Sequence, residues 1–174
     1  HKTMGNYIEI KNSNAKKQGG DDYCVLNYED EILREFGKTL KCKVVYFSSE
    51  HELKNGIYYK DNIIYIAKDG KAEEFCDVRE TNLVGVHNHE NIMAALGITM
   101  SFGVPLDVIK KAVMRFTAVE HRIEFVCEKK GVKYYNDSKG TNTDAAIKAI
   151  DAMPSETVLI AGGYDKNGDY TEWV

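Results

Sequence analysis

The sequence contains 174 residues, 43% of them hydrophobic, and its formal net charge at pH 7 is -4. This length suffices for one good hydrophobic core or two small ones. Because the net charge is negative and no basic cluster offsets it, the composition argues against nucleic acid as a partner and favours small molecules. No apolar run approaches the roughly 20 residues of a membrane span, and the N-terminus lacks a signal-peptide core, so we expect a cytoplasmic protein without membrane contact.

The first half of the chain predicts helices that alternate with short strands. A helix is expected over residues 4–18, ended by Gly19-Gly20, and a polar helix over 30–36 is expected to end at Gly37. Between them lies a short buried strand, and polar turn residues separate the later apolar runs as in hairpins. The predicted strands are 24–26, 44–47, 56–59, 63–66 and a weaker one at 74–76. This pattern favours a small antiparallel meander beside a parallel sheet.

Two helices are predicted next. Asn88 stands where the first should begin, as its N-cap, and Gly103 follows its last apolar residue. Pro105 is expected at the first helical position of the second, 105–116. Both helices are expected to pack on the sheet.

The pattern changes around Val119-Glu120-His121, where helices give way to a hairpin over residues 123–134. A helix over 142–152 and a buried parallel strand over 157–161 follow, and this β-α-β order is typical of a Rossmann-like domain. We therefore predict one domain over 1–118 and the first part of a second over 119–174.

The four cysteines, Cys24, Cys42, Cys76 and Cys127, are far apart and form no C-x-x-C pair. This spacing is typical of reduced, buried thiols rather than of a disulfide framework or a zinc site. The chain opens without an initiator Met and stops soon after a predicted strand, so we expect a segment of a longer protein.

The loop Asp137-Ser138-Lys139-Gly140-Thr141 joins the hairpin to the helix that follows. A helix N-terminus offers unpaired N–H groups, Lys139 adds a full positive charge, and Gly140 lets a ligand approach the backbone, so anions are expected here. Asp137 is suited to accept hydrogen bonds from sugar hydroxyls. The same residues also suit a solvated loop in which Thr141, Asn142 or Thr143 caps the helix, and the residue types alone leave both interpretations open.

Four motifs along the chain occur in the order that one enzyme family uses. They are His87-Asn88-His89-Glu90-Asn91, His121-Arg122-Ile123-Glu124, Asn136-Asp137-Ser138-Lys139-Gly140-Thr141-Asn142 and Gly162-Gly163-Tyr164-Asp165-Lys166. On these motifs the chain resembles the D-glutamate-adding Mur ligases over essentially its whole length. The resemblance implies an α/β fold: the later part of a P-loop-type central ATP-binding domain, then the start of a Rossmann-like C-terminal domain.

The resemblance also implies a reaction. ATP phosphorylates the carboxylate of UDP-N-acetylmuramoyl-L-alanine, and the amine of D-glutamate attacks the acyl phosphate to form an amide in peptidoglycan precursor synthesis. ATP and Mg2+ are the implied cofactors, and the full-length enzyme is expected to be a monomer. The chain has no G-x-x-x-x-G-K-[ST] loop for the ATP phosphates, so we expect it to be inactive alone.

Site roles follow from the same resemblance. Asn88 and Asn91 correspond to the asparagines of the ATP adenine pocket, and Arg122 and Asp137 to residues that contact the nucleotide. Another group lies around D-glutamate and the reacting phosphate: Lys139, which is also a catalytic candidate, Thr141 and Lys166. Lys11 corresponds to a lysine that becomes carbamylated and then holds magnesium, and it is the second catalytic candidate.

Other interpretations stay open at the level of sequence. A different amino-acid-adding ligase of the same superfamily and a non-catalytic nucleotide-binding module are the alternatives nearest to this one. A metal-dependent hydrolase built on His87 and His89 is a third, although residues two apart do not share a helix face. Arg122 and Glu124 would also suit a plain ion pair on a strand, Lys166 a solvated turn, and His121 a packing or hinge role.

Overall fold

A five-stranded mixed sheet carries the first part of the chain in this computed structural model, which describes residues 3–15, 17–117, 119–164 and 171. Its strands lie in chain order: β1 (Tyr23–Asn27), β2 (Lys43–Ser48), β3 (Gly56–Lys60), β4 (Ile63–Lys68) and β5 (Lys71–Asp77). The first three run parallel, whereas β4 and β5 are antiparallel to their neighbours. The predicted meander is therefore present, but it continues the parallel strands within one sheet.

Two-residue turns join the antiparallel strands. Asp61 and Asn62 adopt φ values of 50° and 67° between β3 and β4, and Asp69 and Gly70 adopt 52° and 77° between β4 and β5. Two successive residues with positive φ form the turn whose twist matches that of a hairpin, and Asp, Asn and Gly tolerate it best. The prediction of hairpins at these turn residues is confirmed.

Five α-helices and a second, two-stranded sheet complete the described part of the chain. The helices are α1 (Met4–Ser13), α2 (Glu31–Thr39), α3 (Val86–Ser101), α4 (Leu106–Arg115) and α5 (Thr143–Asp151), and one turn of 3-10 helix covers Val78–Glu80. The second sheet is the predicted hairpin of β6 (Glu124–Lys129) and β7 (Val132–Asn136). None of the described helices is long and apolar enough to cross a lipid bilayer.

The core lies between α3 and the five-stranded sheet. Met93 and Leu96 of α3 are fully buried with Ile64 of β4, and Ile57 of β3 is almost as inaccessible. A Cβ atom on Gly97 would lie only 2.9 Å from Val25 Cγ1 on β1, so α3 approaches this strand more closely than a larger residue allows. This packing fixes where the N-terminus of α3 lies relative to the sheet.

Several helix ends differ from the predictions. α1 ends at Ser13 rather than at residue 18, because the Ser13 hydroxyl donates to the Ile10 carbonyl and Asn12-Ser13-Asn14 competes with helical hydrogen bonding. α2 continues through Gly37, which is buried against the Tyr46 ring and serves packing rather than termination. α4 begins at Leu106, one residue after Pro105.

The predicted buried strand at residues 157–161 is not formed. Val158 and Ile160 are 91% and 93% exposed, and no described strand pairs with this segment. A parallel strand needs a neighbour to satisfy its backbone groups, and the β6–β7 hairpin does not supply one. The strand–helix part of the predicted β-α-β unit, β7 followed by α5, is present.

Candidate functional site

A cleft of about 340 Å³ lies where the start of α3, the segment after α4 and the loop after β7 meet. Four of the eight site residues named from the sequence line it: the amides Asn88 and Asn91 and the cations Arg122 and Lys139. Its remaining walls are the apolar side chains of Leu83, Phe116 and Val119. Apolar walls with a few convergent polar groups are typical of a small-molecule site.

Asn88 lies within the first turn of α3 rather than at its N-cap, which is Gly85. Its Nδ2 donates to the Val84 carbonyl oxygen at 2.7 Å. A carbonyl can only accept, so this bond orients the amide and leaves Oδ1 as the acceptor for a ligand. Asn91 lies three residues further along the same helix face. The predicted capping role of Asn88 is wrong, and its place in the cleft depends on this other bond.

Gly85 allows the start of α3 to contact the end of α5. It adopts a φ of 93°, a conformation that side chains disfavour. A Cβ atom there would lie 2.6 Å from the Ala152 side chain and 2.9 Å from His87 Cε1. The glycine therefore permits close packing between the start of α3, which lines the cleft, and the end of α5.

Backbone hydrogen bonds bring Arg122 and Lys139 to one edge of the cleft. The Lys139 N–H donates to the His121 carbonyl at 2.9 Å, and the Ile123 N–H donates to Asp137 Oδ1 at 3.1 Å. The Gly140 N–H donates to the Asp137 carbonyl at 2.8 Å, and a Cβ on Gly140 would collide with the Asp137 carboxylate. Asp137 thus already uses one oxygen within the protein, and it does not itself line the cleft.

The charges in the cleft are available to an anion. Within the described residues, neither the Arg122 guanidinium nor the Lys139 ammonium forms a salt bridge, and both residues are exposed. Nearby, the pKa of His87 is lowered, first by burial and then by the charges of Arg122 and Lys148, and Asp137 and Glu90 offset this only in part. Two cations without a salt bridge among the described residues therefore line the cleft, and the positive charge of one of them, Arg122, contributes after burial to the lowered pKa of the nearby His87.

One of the three candidates predicted from the sequence caps the N-terminus of α5. Asn142 Oδ1 accepts from the Ala145 N–H at 2.8 Å, so Asn142 is the N-cap. Thr141 is exposed immediately before it and does not line the cleft. Thr141 is therefore close to the cleft residue Lys139 in sequence, but its side chain does not form part of the cleft wall.

Two predicted site residues lie elsewhere. Lys11 is exposed on α1, with its Nζ 5.5 Å from the centre of the Tyr7 ring, and it does not line the cleft. Lys166 lies outside the described residues.

Potential metal ligands gather at a different place from those predicted. Among the described residues, one group of three carboxylate or imidazole ligands occurs, formed by Glu29, Glu50 and His51 after β1 and β2. Glu29 Oε2 lies 2.8 Å from His51 Nδ1, so a hydrogen bond within the group already explains why these side chains lie together. His87 and His89 belong to no such group, and the His89 ring instead stacks on Tyr59 with 4.9 Å between ring centres. This arrangement does not favour the metal-dependent hydrolase.

The apolar walls of the cleft were not recognisable in the sequence. Leu83 precedes α3 with no periodic pattern around it, Phe116 follows the last residue of α4, and Val119 marked only the change of pattern. Each of these residues lies in a segment between elements rather than on the apolar face of a helix or strand. Neither its spacing in the sequence nor its side-chain type therefore identified it as part of a site.

Comparisons with known proteins agree with the motifs. The family model described as the Mur ligase middle domain matches residues 1–99. The UDP-N-acetylmuramoylalanine--D-glutamate ligase of Lachnoclostridium phytofermentans is 50% identical over all 174 residues, which correspond to 38% of that protein. The ligase of the same name from Clostridioides difficile is 44% identical over 172 residues, again 38% of its length. The chain thus spans less than two fifths of these relatives.

Solved structures show the same fold at low identity. MurF from Acinetobacter baumannii superimposes with a TM-score of 0.67 and 14% identity, covering 88% of this chain and 34% of that one. A pseudomurein peptide ligase type C from Methanothermus fervidus gives a TM-score of 0.64 and 16% identity, with coverages of 86% and 37%. These likenesses confirm the predicted fold class. With a family model over more than half of its residues and relatives that align along its whole length, the chain belongs to the Mur ligase family.

Proposed function

We propose that this chain is the nucleotide-side part of an ATP-dependent ligase that adds D-glutamate to UDP-N-acetylmuramoyl-L-alanine in the cytoplasm. The observation that carries the proposal is the cleft, where two amides and two unpaired cations converge. Amides both donate to and accept from a purine edge, and fixed cations bind phosphate and carboxylate oxygens, so the donor set fits ATP. The names of the relatives supply the amino acid and the acceptor.

Each side chain has a role in this proposal. Asn88 Oδ1 accepts from the exocyclic amino group of adenine, and Asn91 contacts the same base. Arg122 uses its planar fork of donors on phosphate oxygens. Lys139 stabilises the charge that develops as the phosphoryl group reaches the substrate carboxylate, and Thr141 and Lys166 contact D-glutamate. Asp137 accepts from the nucleotide sugar through its second oxygen while its first orients the loop.

Catalysis in this scheme depends on positioning and on charge neutralisation. ATP supplies the phosphoryl group that activates the carboxylate, and no protein nucleophile is needed. On the proposed division into residues 1–118 and 119–174, Arg122 and Lys139 would belong to the second domain and the two asparagines to the first. The cleft that these four residues line would therefore lie between the two domains.

Magnesium is part of the proposal for the full-length ligase, and within this chain it would be held by Lys11 only if that lysine is carbamylated. As an ammonium, Lys11 repels a divalent cation, and only carbamylation would convert it into a ligand. Among the described residues, the one group of potential metal ligands lies after β1 and β2 and includes no residue of α1. Carbamylated Lys11 would supply one magnesium ligand in the full-length ligase.

The proposal can be tested in the full-length ligase that carries this chain. The measurement is the coupling of radiolabelled D-glutamate to UDP-N-acetylmuramoyl-L-alanine. Lys139→Ala is expected to lower kcat by about 10²- to 10³-fold, as expected for loss of a charge that stabilises the transition state. Lys133→Ala, an exposed lysine of β7 outside the cleft, is the matched control and should keep normal activity. The chain alone should release no ADP.

Three outcomes would count against the proposal. Equal activity of both variants would remove Lys139 from the reaction. Coupling of another amino acid in place of D-glutamate would favour a different ligase of the family. ATP binding without coupling of any amino acid would favour the non-catalytic module.

A further inference from the structure

His121, Glu124 and Asn136, which we call the clasp, form a group of hydrogen bonds beside the two cations. Asn136 Nδ2 lies 2.9 Å from His121 Nδ1, and Glu124 Oε2 accepts from the His121 N–H at 2.8 Å. The His121 carbonyl accepts from the Lys139 N–H at 2.9 Å. One residue thus joins the segment that carries Arg122 to the loop that carries Lys139.

The hydrogen-bond network orients the His121 ring. Asn136 Oδ1 accepts from the Ser138 N–H at 3.1 Å, so the amide nitrogen must face the imidazole. Because this nitrogen can only donate, we assign Nδ1 of His121 as the acceptor of this bond; Glu124 Oε2, which lies 3.5 Å from Nδ1, accepts the shorter bond from the His121 N–H. The ring is therefore oriented by a specific bond and is not merely packed against the loop.

The backbone on either side of Arg122 is strained. His121 has a φ of 67° and Ile123 a φ of 45°, and a β-branched residue rarely adopts such a value. Strained conformations of this kind persist only where surrounding contacts hold them. The contacts here are the clasp and the bond from the Ile123 N–H to Asp137.

We infer that His121 is a positioning residue, whose ring acceptor holds Arg122 and Lys139 at the separation that phosphoryl transfer requires. The inference rests on the proposed function for the role of the two cations. Loss of the Asn136–His121 bond frees the strained segment, so both cations lose their fixed position although each side chain is still present.

Variants of His121 distinguish the loss of the hydrogen-bond acceptor on the ring from a change in backbone conformational freedom. Asn and Gly both tolerate positive φ, but only Asn places an acceptor oxygen near the position of Nδ1. In the full-length ligase, His121→Gly should lower kcat roughly three- to tenfold, the range for loss of one hydrogen bond. His121→Asn should restore kcat, and it should fail to do so when Asn136→Ala is also present.

Amide hydrogen exchange gives a second measurement that needs no substrate. The Lys139 amide should exchange roughly three- to tenfold faster in His121→Gly than in the unaltered protein, and His121→Asn should reverse this. A failure to couple D-glutamate in the unaltered ligase would disprove the proposed function but leave this test intact. Unchanged exchange, equal kcat for the Gly and Asn variants, or a lower unfolding temperature with normal kcat would each overturn the role of His121.

Discussion

Gly85 shows how one residue connects the fold to the cleft. Gly85→Ala should lower the free energy of unfolding by about 1–3 kcal/mol, because the new methyl group meets Ala152 and His87 at a strained φ. Urea denaturation measures this. Gly5→Ala is the control, since a Cβ there has only an ordinary contact with Thr3 and alanine favours helix α1. A neutral Gly85→Ala would show that α5 shifts away from α3 without loss.

Residue chemistry predicted some details of the site and missed others. Asn142 was one of three candidates for the cap of α5, and local sequence alone suggests its bond to the Ala145 N–H. Asn88 looked like a cap for the same reason, but Gly85 begins the helix one turn earlier. The bond that orients Asn88 goes to Val84, and only the fold of the preceding connection supplies that carbonyl.

At the level of elements, the contact between α3 and β1 is sensitive to side-chain size. Gly97→Leu should destabilise the protein by about 1–3 kcal/mol, because Val25 already lies within 2.9 Å of the Cβ position. Ala95→Leu on the exposed face of the same helix changes volume to a similar degree and should stay within about 0.5 kcal/mol. The melting temperatures of the two variants, measured by thermal unfolding, test this expected difference in stability. Equal melting temperatures would contradict the close packing of α3.

Elements were predictable where local chemistry decides them. The turns at Asp61-Asn62 and Asp69-Gly70 carry their own conformational preference, so the meander could be recognised without its neighbours. The run at 157–161 is as apolar as a buried strand, yet apolar residues form a strand only beside a pairing partner. Sequence gives no information about whether that partner is present.

For the whole molecule, two histidines set a pH dependence. Burial lowers the pKa of His89, with a further contribution from His87, and burial and Arg122 lower the pKa of His87. The unfolded chain therefore binds more protons below pH 6.5, so the free energy of unfolding should fall as the pH drops from 7.5 to 5.5. The lowered pKa of Glu29 acts only below about pH 4.5, outside this window.

Urea denaturation at both pH values measures the effect. His89→Phe keeps a ring against Tyr59 and removes both the proton and the buried Nδ1, which has no hydrogen-bond partner. In this variant, the difference in the free energy of unfolding between pH 5.5 and pH 7.5 should be smaller. An unchanged difference would assign the pH dependence to other groups.

The meander also determines the order in which the large sheet can assemble. Two-residue turns make the contacts of β3, β4 and β5 local in sequence, and hairpins of this kind close within roughly 1–10 μs. Pairing β1 with β2 instead requires closing a loop that contains the whole of α2, which delays contact formation. We therefore expect the three antiparallel strands to form the folding nucleus, onto which the parallel strands that carry α3 are added later.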